Sequence, residues 1–147
     1  MIADAWNRWQ GRLERYCAQL LSNRHDAEEV VQDVFARLVA APDRYDLSRE
    51  PEVLLFRMVR NQCIDRIRKP VPRNNVELET AAPEATDHRD LELALAALPE
   101  AERDTLLLTT VDQLGYREVA AILGCSLGTV AARRGAAILK LRERLSR

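Results

Sequence analysis

Basic residues are concentrated in two short stretches of the sequence, where their side chains could bind a polyanion. Between Leu54 and Lys69 five basic residues accompany one acid, and between Ala131 and Arg147 six accompany one acid. Between Asn74 and Asp90 the balance is reversed, with five acids and one arginine. The net charge of −1 therefore hides local patches that attract or repel phosphate groups. For either basic stretch taken alone, an ordinary solvated helix face is the alternative.

The other reactive side chains form no recognised catalytic or metal-binding pattern. The sequence contains no paired carboxylate cleft, no nucleophile with a neighbouring base, no phosphate-binding loop and no metal-ligand spacing. Cys17, Cys63 and Cys125 are odd in number and widely spaced, and each has apolar helical surroundings. We therefore expect reduced, buried thiols, no metal, no cofactor and no enzymatic activity.

The elements that must position the charged residues are predicted to be helices throughout. Good helix formers dominate and period-two alternation is absent, so the expected class is all-α. Helices are predicted over about 3–21, from an N-cap at Asp26 to a stop at Pro42, and over 52–69, 90–98, 100–113, 116–123 and 129–145. The expected core stripes comprise Trp6, Trp9, Leu13, Tyr16, Cys17, Leu20 and Leu21, then Ala27, Val30, Val31, Val34 and Leu38, then Leu55, Met58 or Val59, Gln62 or Cys63, and Ile67, and finally Leu106, Leu107 and Val111.

Residues 70–89 are predicted to be a flexible acidic linker, because prolines, adjacent asparagines and acids occur there with little periodicity. The linker divides the chain into two small helical domains, 1–69 and 90–147, each large enough for a compact core.

A helix-turn-helix is predicted near the carboxyl end. Ala120 supplies the small residue on which the second helix packs, Gly124 the turn, and Val130 the apolar anchor. Ser126 is placed to cap the second helix and to face a phosphate. A purely structural helical hairpin is the alternative meaning of the same spacing.

Three motifs together resemble the extracytoplasmic-function group of the sigma-70 family of bacterial RNA polymerase subunits, over nearly the whole chain. The segment 26–35 (DAEEVVQDVF) is similar to the domain 2 helix that docks on the polymerase clamp helices. The segment 55–69 (LFRMVRNQCIDRIRK) is similar to the helix that melts and reads the −10 element. The segment 116–124 (YREVAAILG), followed by Gly128, Thr129 and Val130, resembles the domain 4 helix-turn-helix that reads the −35 element.

The resemblance implies three sets of binding residues. Residues implied in core-polymerase binding are Asp26, Glu29, Gln32, Asp33, Phe35 and Arg37. Residues implied in −10 element binding are Arg49, Arg57, Arg60, Asn61, Asp65, Arg66, Arg68 and Lys69, with Asn61 at the position that helps to hold an extruded base. Residues implied in −35 element binding are Tyr116, Arg117, Ser126, Thr129, Arg133 and Arg134.

The sequence departs from the family pattern in two places. Leu54 stands where the family usually has tryptophan. In the recognition helix, small or apolar residues occupy positions that are generally basic or polar, namely Ala131, Ala132, Gly135, Ala136 and Ile138. Alanine and glycine cannot make bidentate base contacts, so recognition would rest on DNA shape and backbone contacts, or the domain has turned toward a protein partner. We favour retained promoter binding.

The leading functional hypothesis is an alternative sigma factor whose partners are core RNA polymerase, the −10 and −35 promoter elements and a cognate anti-sigma factor. A sigma-like decoy, which binds an anti-sigma factor without initiating transcription, is the second hypothesis, and a simple dimeric repressor is the third. The polar amino terminus and the absence of a long apolar run predict a cytosolic protein with no membrane insertion.

Overall fold

The computed structural model describes residues 1–68 and 89–146, and within these ranges all the regular structure is helical. The elements in chain order are α1 (Ile2–Leu21), α2 (Arg24–Ala40), a short 3₁₀ helix (Pro42–Arg44), α3 (Pro51–Arg68), α4 (Arg89–Ala96), α5 (Glu100–Thr109), α6 (Tyr116–Leu123) and α7 (Leu127–Leu145). The all-α prediction is confirmed. The predicted linker, apart from Arg89, lies outside the described residues, as does Lys69.

The turn between α1 and α2 differs from the prediction, because Asn23 and not Asp26 is the N-cap of α2. Ser22 ends α1 in the left-handed conformation, with φ of 56°. The Asn23 side chain then accepts a hydrogen bond of 3.0 Å from the backbone N–H of Asp26. Asp26 therefore lies in the first turn, where its charge still favours the helix dipole. The sequence Asn-Arg-His-Asp offers two capping side chains, and the tight turn after Ser22 selects the earlier one.

The core of the amino-terminal block (residues 1–68) is formed by one face each of α1, α2 and α3. Trp9 and Phe56 are almost completely buried and meet edge to face, with ring centroids 5.8 Å apart. All five apolar side chains predicted for the inner face of α2 are buried. Burial of each valine or leucine among them stabilises the fold by roughly 1.5–3 kcal/mol. On α3 the buried stripe is Leu55, Phe56, Val59 and Cys63, whereas Ile67, which the sequence placed inside, is 44% exposed.

The carboxy-terminal block (residues 89–146) contains the predicted helix-turn-helix, formed by α6 and α7. Gly124 ends α6 with φ of 70°, a left-handed conformation that favours glycine. Ser126 caps α7 by accepting a hydrogen bond of 3.1 Å from the Thr129 N–H, so the helix begins two residues earlier than predicted. Val130 is fully buried, as expected of the anchor.

The two blocks pack against each other and share one hydrophobic core. Helix α5 lies against α1, and α6 lies against α3. Leu108, Leu114, Val119 and Val130 belong to the same buried cluster as Phe56 and its neighbours. A smaller cluster, centred on Leu98, Leu106 and Ala137, lies wholly within the carboxy-terminal block. The surface of α3 that faces α5 and α6 is consequently an internal boundary of the molecule.

Candidate nucleic-acid and protein interfaces

A buried polar cluster joins the two blocks at the basic face of α3. Asp104 of α5 is only 4% exposed. Its Oδ1 accepts a hydrogen bond of 2.6 Å from the Tyr16 hydroxyl, and its Oδ2 lies 2.6 Å from Nε of Arg60 in an ion pair. We call Tyr16, Arg60 and Asp104 the Asp104 cluster. Charge-assisted bonds of this kind are about twice as strong as neutral ones, so the cluster is a strong polar contact between the blocks.

The pKa values of the two partners follow from this arrangement. Burial raises the pKa of Tyr16 well above 10.0, and the charge and hydrogen bond of Asp104 raise it further. Burial alone would lower the pKa of Arg60, but the hydrogen bond and charge of Asp104 outweigh that effect and raise it. At neutral pH the cluster therefore holds a neutral phenol and a charged guanidinium against one carboxylate.

A second arginine on the same face of α3 also binds the carboxy-terminal block. Nη2 of Arg57 donates a hydrogen bond of 2.5 Å to the backbone carbonyl oxygen of Ala121, which belongs to the helix-turn-helix. Two of the side chains predicted for −10 element binding are thus occupied by groups of the block predicted to bind the −35 element.

Two weaker polar contacts lie at the rim of the same boundary. Arg8 donates to Oε1 of Gln113 at 2.8 Å, and Arg12 pairs with Asp112 at 3.4 Å. Gln113 itself adopts φ of 73°, an unusual conformation for a residue other than glycine. The guanidinium groups of both arginines also lie over the ring of Trp9, within 5.4 Å of its centroid. The Asp112 side chain is 79% exposed, so this outer pair contributes little compared with the Asp104 cluster.

The polar stripe of α2 lies on the surface but is partly neutralised by α3. We define the α2 stripe as Glu29, Gln32, Asp33 and Arg37, all of which are exposed. Arg66 of α3 lies 3.3 Å from Glu29 and 3.7 Å from Asp33, and it also approaches Asp26 at 3.9 Å. Arg66, which the sequence assigned to DNA, thus bridges α3 to the acidic stripe.

Phe35 does not belong to that surface. Its side chain is 6% exposed and packs edge to face on Trp6, with ring centroids 4.9 Å apart. The prediction of Phe35 as a binding residue is therefore wrong for this arrangement. Phe35 turns inward together with Val34 and Leu38, so the buried face of α2 is wider than the sequence predicted.

The remaining predicted −10 residues within the described ranges are exposed. Asn61, Asp65 and Arg68 face solvent along α3, and Arg49 lies in the loop between the 3₁₀ helix and α3. This loop is shaped by Asp46, whose carboxylate accepts hydrogen bonds from the backbone and the hydroxyl of Ser48. These bonds lower the pKa of Asp46.

The helix-turn-helix presents a recognition helix with an open, nearly featureless outer face. The axes of α6 and α7 turn through 99°, which lies within the range usual for this motif. Ala131, Ala132 and Gly135 are exposed, and a Cβ atom added to Gly135 would meet nothing within 4 Å. Any direct reading of base edges from this face therefore falls to side chains elsewhere on the motif.

The other predicted −35 residues surround that face. Tyr116 and Arg117 are exposed at the start of α6, and Ser126 is exposed at the start of α7. Thr129, Arg133 and Arg134 are half-buried. Nε of Arg134 is buried without a hydrogen-bond partner, whereas the guanidinium end of such a side chain can still reach solvent.

Sequence reasoning missed Asp104, the residue that organises the boundary between the blocks. Asp104 and Tyr16 are 88 positions apart, so no local spacing could have paired them. The only available signal was an acid within the apolar pattern of α5, flanked by the predicted core residues Leu106 and Leu107.

The described residues contain neither a cluster of metal ligands nor a single membrane-spanning helix. Within residues 1–68 and 89–146, no group of three or more His, Cys, Asp or Glu side chains could hold a metal ion. In the same ranges no single helix is long and apolar enough to cross a membrane. Only α6 and α7 taken together reach that length and apolarity, and they are sharply bent relative to each other.

Known protein families match both blocks of the chain. The family described as Sigma-70 region 2 matches residues 5–70, and the family described as Sigma-70, region 4 matches residues 88–141. Together the two matches span most of the sequence, in the order that the sequence motifs predicted.

Characterised relatives match nearly the full length of the chain. The ECF RNA polymerase sigma factor SigW of Bacillus subtilis is 28% identical over an alignment of 153 residues, gaps included, which covers 90% of this chain and 82% of SigW. The ECF RNA polymerase sigma factor SigE of Mycolicibacterium smegmatis is 31% identical over 150 residues, covering 92% of this chain and 58% of SigE.

Solved structures share the same fold. The sigma factor RpoE of Bartonella quintana, in complex with the anti-sigma factor NepR, superposes with a TM-score of 0.74 at 26% identity, covering 97% of each chain. CnrH, in complex with the cytosolic domain of CnrY, superposes with a TM-score of 0.77 at 27% identity, covering 99% of this chain and 87% of CnrH.

Proposed function

The chain belongs to the extracytoplasmic-function group of the sigma-70 family and is an alternative sigma factor, and we propose which of its surfaces bind core polymerase and which bind promoter DNA. It binds bacterial core RNA polymerase and promoter DNA. The observation that carries the assignment is that one chain combines a basic helix, packed next to the acidic α2 stripe, with a helix-turn-helix. It acts in the cytoplasm and catalyses no covalent reaction of its own.

The α2 stripe is proposed to dock on core polymerase. Its exposed carboxylates and amide suit a basic partner helix, and the stripe lies on the side of α2 away from the core. Arg66 of α3 pairs with both carboxylates of the stripe, Glu29 and Asp33, and so offsets part of their negative charge. The two side chains nevertheless remain 47% and 56% exposed, so a basic partner can still reach them.

Asn61, Arg68 and Arg49 are proposed to contact the −10 element directly. All three are exposed in the structure as it stands. Arg57 and Arg60 can join them only when their bonds to Ala121 and Asp104 are released. We therefore propose that the described arrangement is a closed form, and that the two blocks separate when both promoter elements are bound.

Arg133, with Ser126 and Thr129, is proposed to bind the −35 element through the DNA backbone. The bare outer face of α7 cannot supply bidentate base contacts, whereas the hydroxyls and amides at its amino end can face phosphates. Shape and backbone contacts would then provide the recognition.

Run-off transcription with core polymerase on genomic promoter fragments tests these assignments together. Asn61→Ala should reduce promoter-specific transcript severalfold, and Arg15→Ala, which removes an exposed arginine from α1, is the matched control. Arg133→Ala should weaken transcription more than Arg144→Ala, which lies near the end of the same helix. For binding to core polymerase, the affinity of Asp33→Asn is compared with that of Glu28→Asn, and the proposal expects the larger loss from Asp33→Asn. A holoenzyme that forms normally yet yields no promoter-specific transcript would contradict the proposal.

A decoy that binds an anti-sigma factor without initiating transcription is the second candidate. The bare face of α7 favours it, because exposed Ala131, Ala132 and Gly135 would permit close approach of a partner helix. An anti-sigma factor is also a proposed partner of the active sigma factor, since the RpoE relative was solved with one. The decoy predicts anti-sigma capture together with failure of DNA to cross-link through Arg133 and Arg134.

A further inference from the structure

Two of the three cysteines meet in the core of the amino-terminal block. Sγ of Cys17 on α1 lies 2.7 Å from Sγ of Cys63 on α3, and both side chains are fully buried. Cys125, the third, is partly exposed in the turn between α6 and α7. The sequence separation of 46 residues gave no indication of the pairing.

The distance between the two sulfur atoms is close to the length of a covalent S–S bond. A disulfide has an S–S length of about 2.05 Å, so the gap exceeds it by only about 0.65 Å. Apolar packing alone would not require sulfur at both positions, whereas a reversible cross-link does.

The surroundings of the pair disfavour the thiolate form of Cys63. The hydrogen bond to Cys17 and the burial of the site raise the pKa of Cys63, and the charge of Asp104 raises it further. Since the thiolate is the reactive form, the raised pKa of Cys63 slows its oxidation, and a hydroperoxide in excess is needed to drive the reaction.

We propose that Cys17 and Cys63 are a redox-sensitive pair that forms an intramolecular disulfide between α1 and α3, with a hydroperoxide as the oxidant. One thiolate attacks a peroxide oxygen, the O–O bond breaks, and a sulfenic acid and water (or an alcohol) are formed. The second thiol then attacks the sulfenic sulfur, the S–S bond forms, and the hydroxyl group leaves as water after taking up a proton. Two thiols are oxidised, and the peroxide is reduced.

The location of the bond connects it to the boundary between the blocks. Cys17 directly follows Tyr16, and Cys63 lies three residues after Arg60, one helical turn along α3. The disulfide therefore fixes the relative position of the two side chains that hold Asp104. Cross-linking residues this far apart in sequence should raise the melting temperature on the order of 10 °C.

The experiment uses the full chain carrying Cys125→Ser, which removes the only other thiol and leaves the pair intact. After treatment with hydrogen peroxide and blocking of free thiols, non-reducing trypsin digestion should release residues 16–24 joined to residues 61–66. The protein should remain monomeric, its melting temperature should rise, and dithiothreitol should reverse both changes.

The matched variant Cys63→Ala with Cys125→Ser should show neither the joined peptides nor the rise in melting temperature. Two thiols that remain open to alkylation after peroxide treatment would overturn the proposal, as would disulfides found only between molecules. Joined peptides without a higher melting temperature would overturn the stabilising role.

Discussion

Replacement of Asp104 by asparagine tests whether the two blocks occlude the face of α3 that is proposed to bind DNA. The substitution keeps the shape of the side chain and one acceptor oxygen for Tyr16, but it removes the charge that holds Arg60 at 2.6 Å. Breaking a buried ion pair costs about 3–5 kcal/mol. Because the Arg60 side chain is 27% exposed, solvent screening reduces that figure, and we expect a loss of about 2 kcal/mol.

A loss of this size corresponds to about a 30-fold shift in the equilibrium between closed and separated blocks. Arg57 and Arg60 become available to phosphates in the separated form. The apparent affinity of the free protein for single-stranded DNA should therefore rise by up to about 30-fold, since a binding-competent form that was rare becomes more populated. Fluorescence anisotropy with a labelled oligonucleotide at fixed salt measures this change directly.

Asp112→Asn is the matched control for the lost negative charge. Asp112 pairs with Arg12 at the exposed rim of the same boundary, so its removal should change DNA affinity less than twofold. If Asp104→Asn lowers the melting temperature but binds DNA no better than Asp112→Asn, the cluster stabilises the fold without occluding α3, and the described arrangement is not a closed form.

Three further predictions concern stability. In Tyr16→Phe the free energy of unfolding should fall at neutral pH because the bond to Asp104 is lost, but it should decline less steeply than in the parent above about pH 10. The raised pKa of Tyr16 means that the unfolded chain ionises first there, so this contribution is present below pH 10 and is lost as pH rises; urea titrations across pH 8–11 measure it. Gly124→Ala should destabilise the protein by about 1–2 kcal/mol because φ is 70°, whereas Gly135→Ala, in an open helix position, should stabilise it by up to about 1 kcal/mol, and equal effects in urea unfolding would contradict both assignments. Asn23→Ala should cost about 1 kcal/mol through loss of the α2 cap, whereas Asn23→Ser, whose hydroxyl can accept the same bond from the Asp26 N–H, should cost less; equal losses in urea unfolding would contradict the cap assignment.

Much of the candidate site was accessible from local patterns. The spacing of apolar residues along α2 predicted its buried face, and the polar residues left over defined the α2 stripe. Gly124 and Val130 predicted the turn and the anchor of the helix-turn-helix because both depend on short-range geometry. The roles of the exposed residues in polymerase and DNA binding remain predictions.

The contacts that the sequence did not reveal are long-range ones. Arg66 has the charge of a DNA-binding residue, but α2 packs beside it and supplies three carboxylates. Phe35 has the position of a surface residue on a narrow helical stripe, but α1 places Trp6 against it. In each case the neighbour comes from another helix, and its distance in the sequence hides the contact.

The sequence by itself determined the helices, the turn at Gly124 and the order of the charged segments, because these depend on periodicity, capping and conformational freedom within a few residues. Only the tertiary structure decided that Arg57 and Arg60 of α3 bind groups of the carboxy-terminal block. The contact of Arg60 depends on one buried carboxylate, Asp104, which reaches both Tyr16 and Arg60 across a boundary that no local pattern describes. The physical reason is that a buried charge requires partners on all sides, and folding brings them together from positions far apart in the chain.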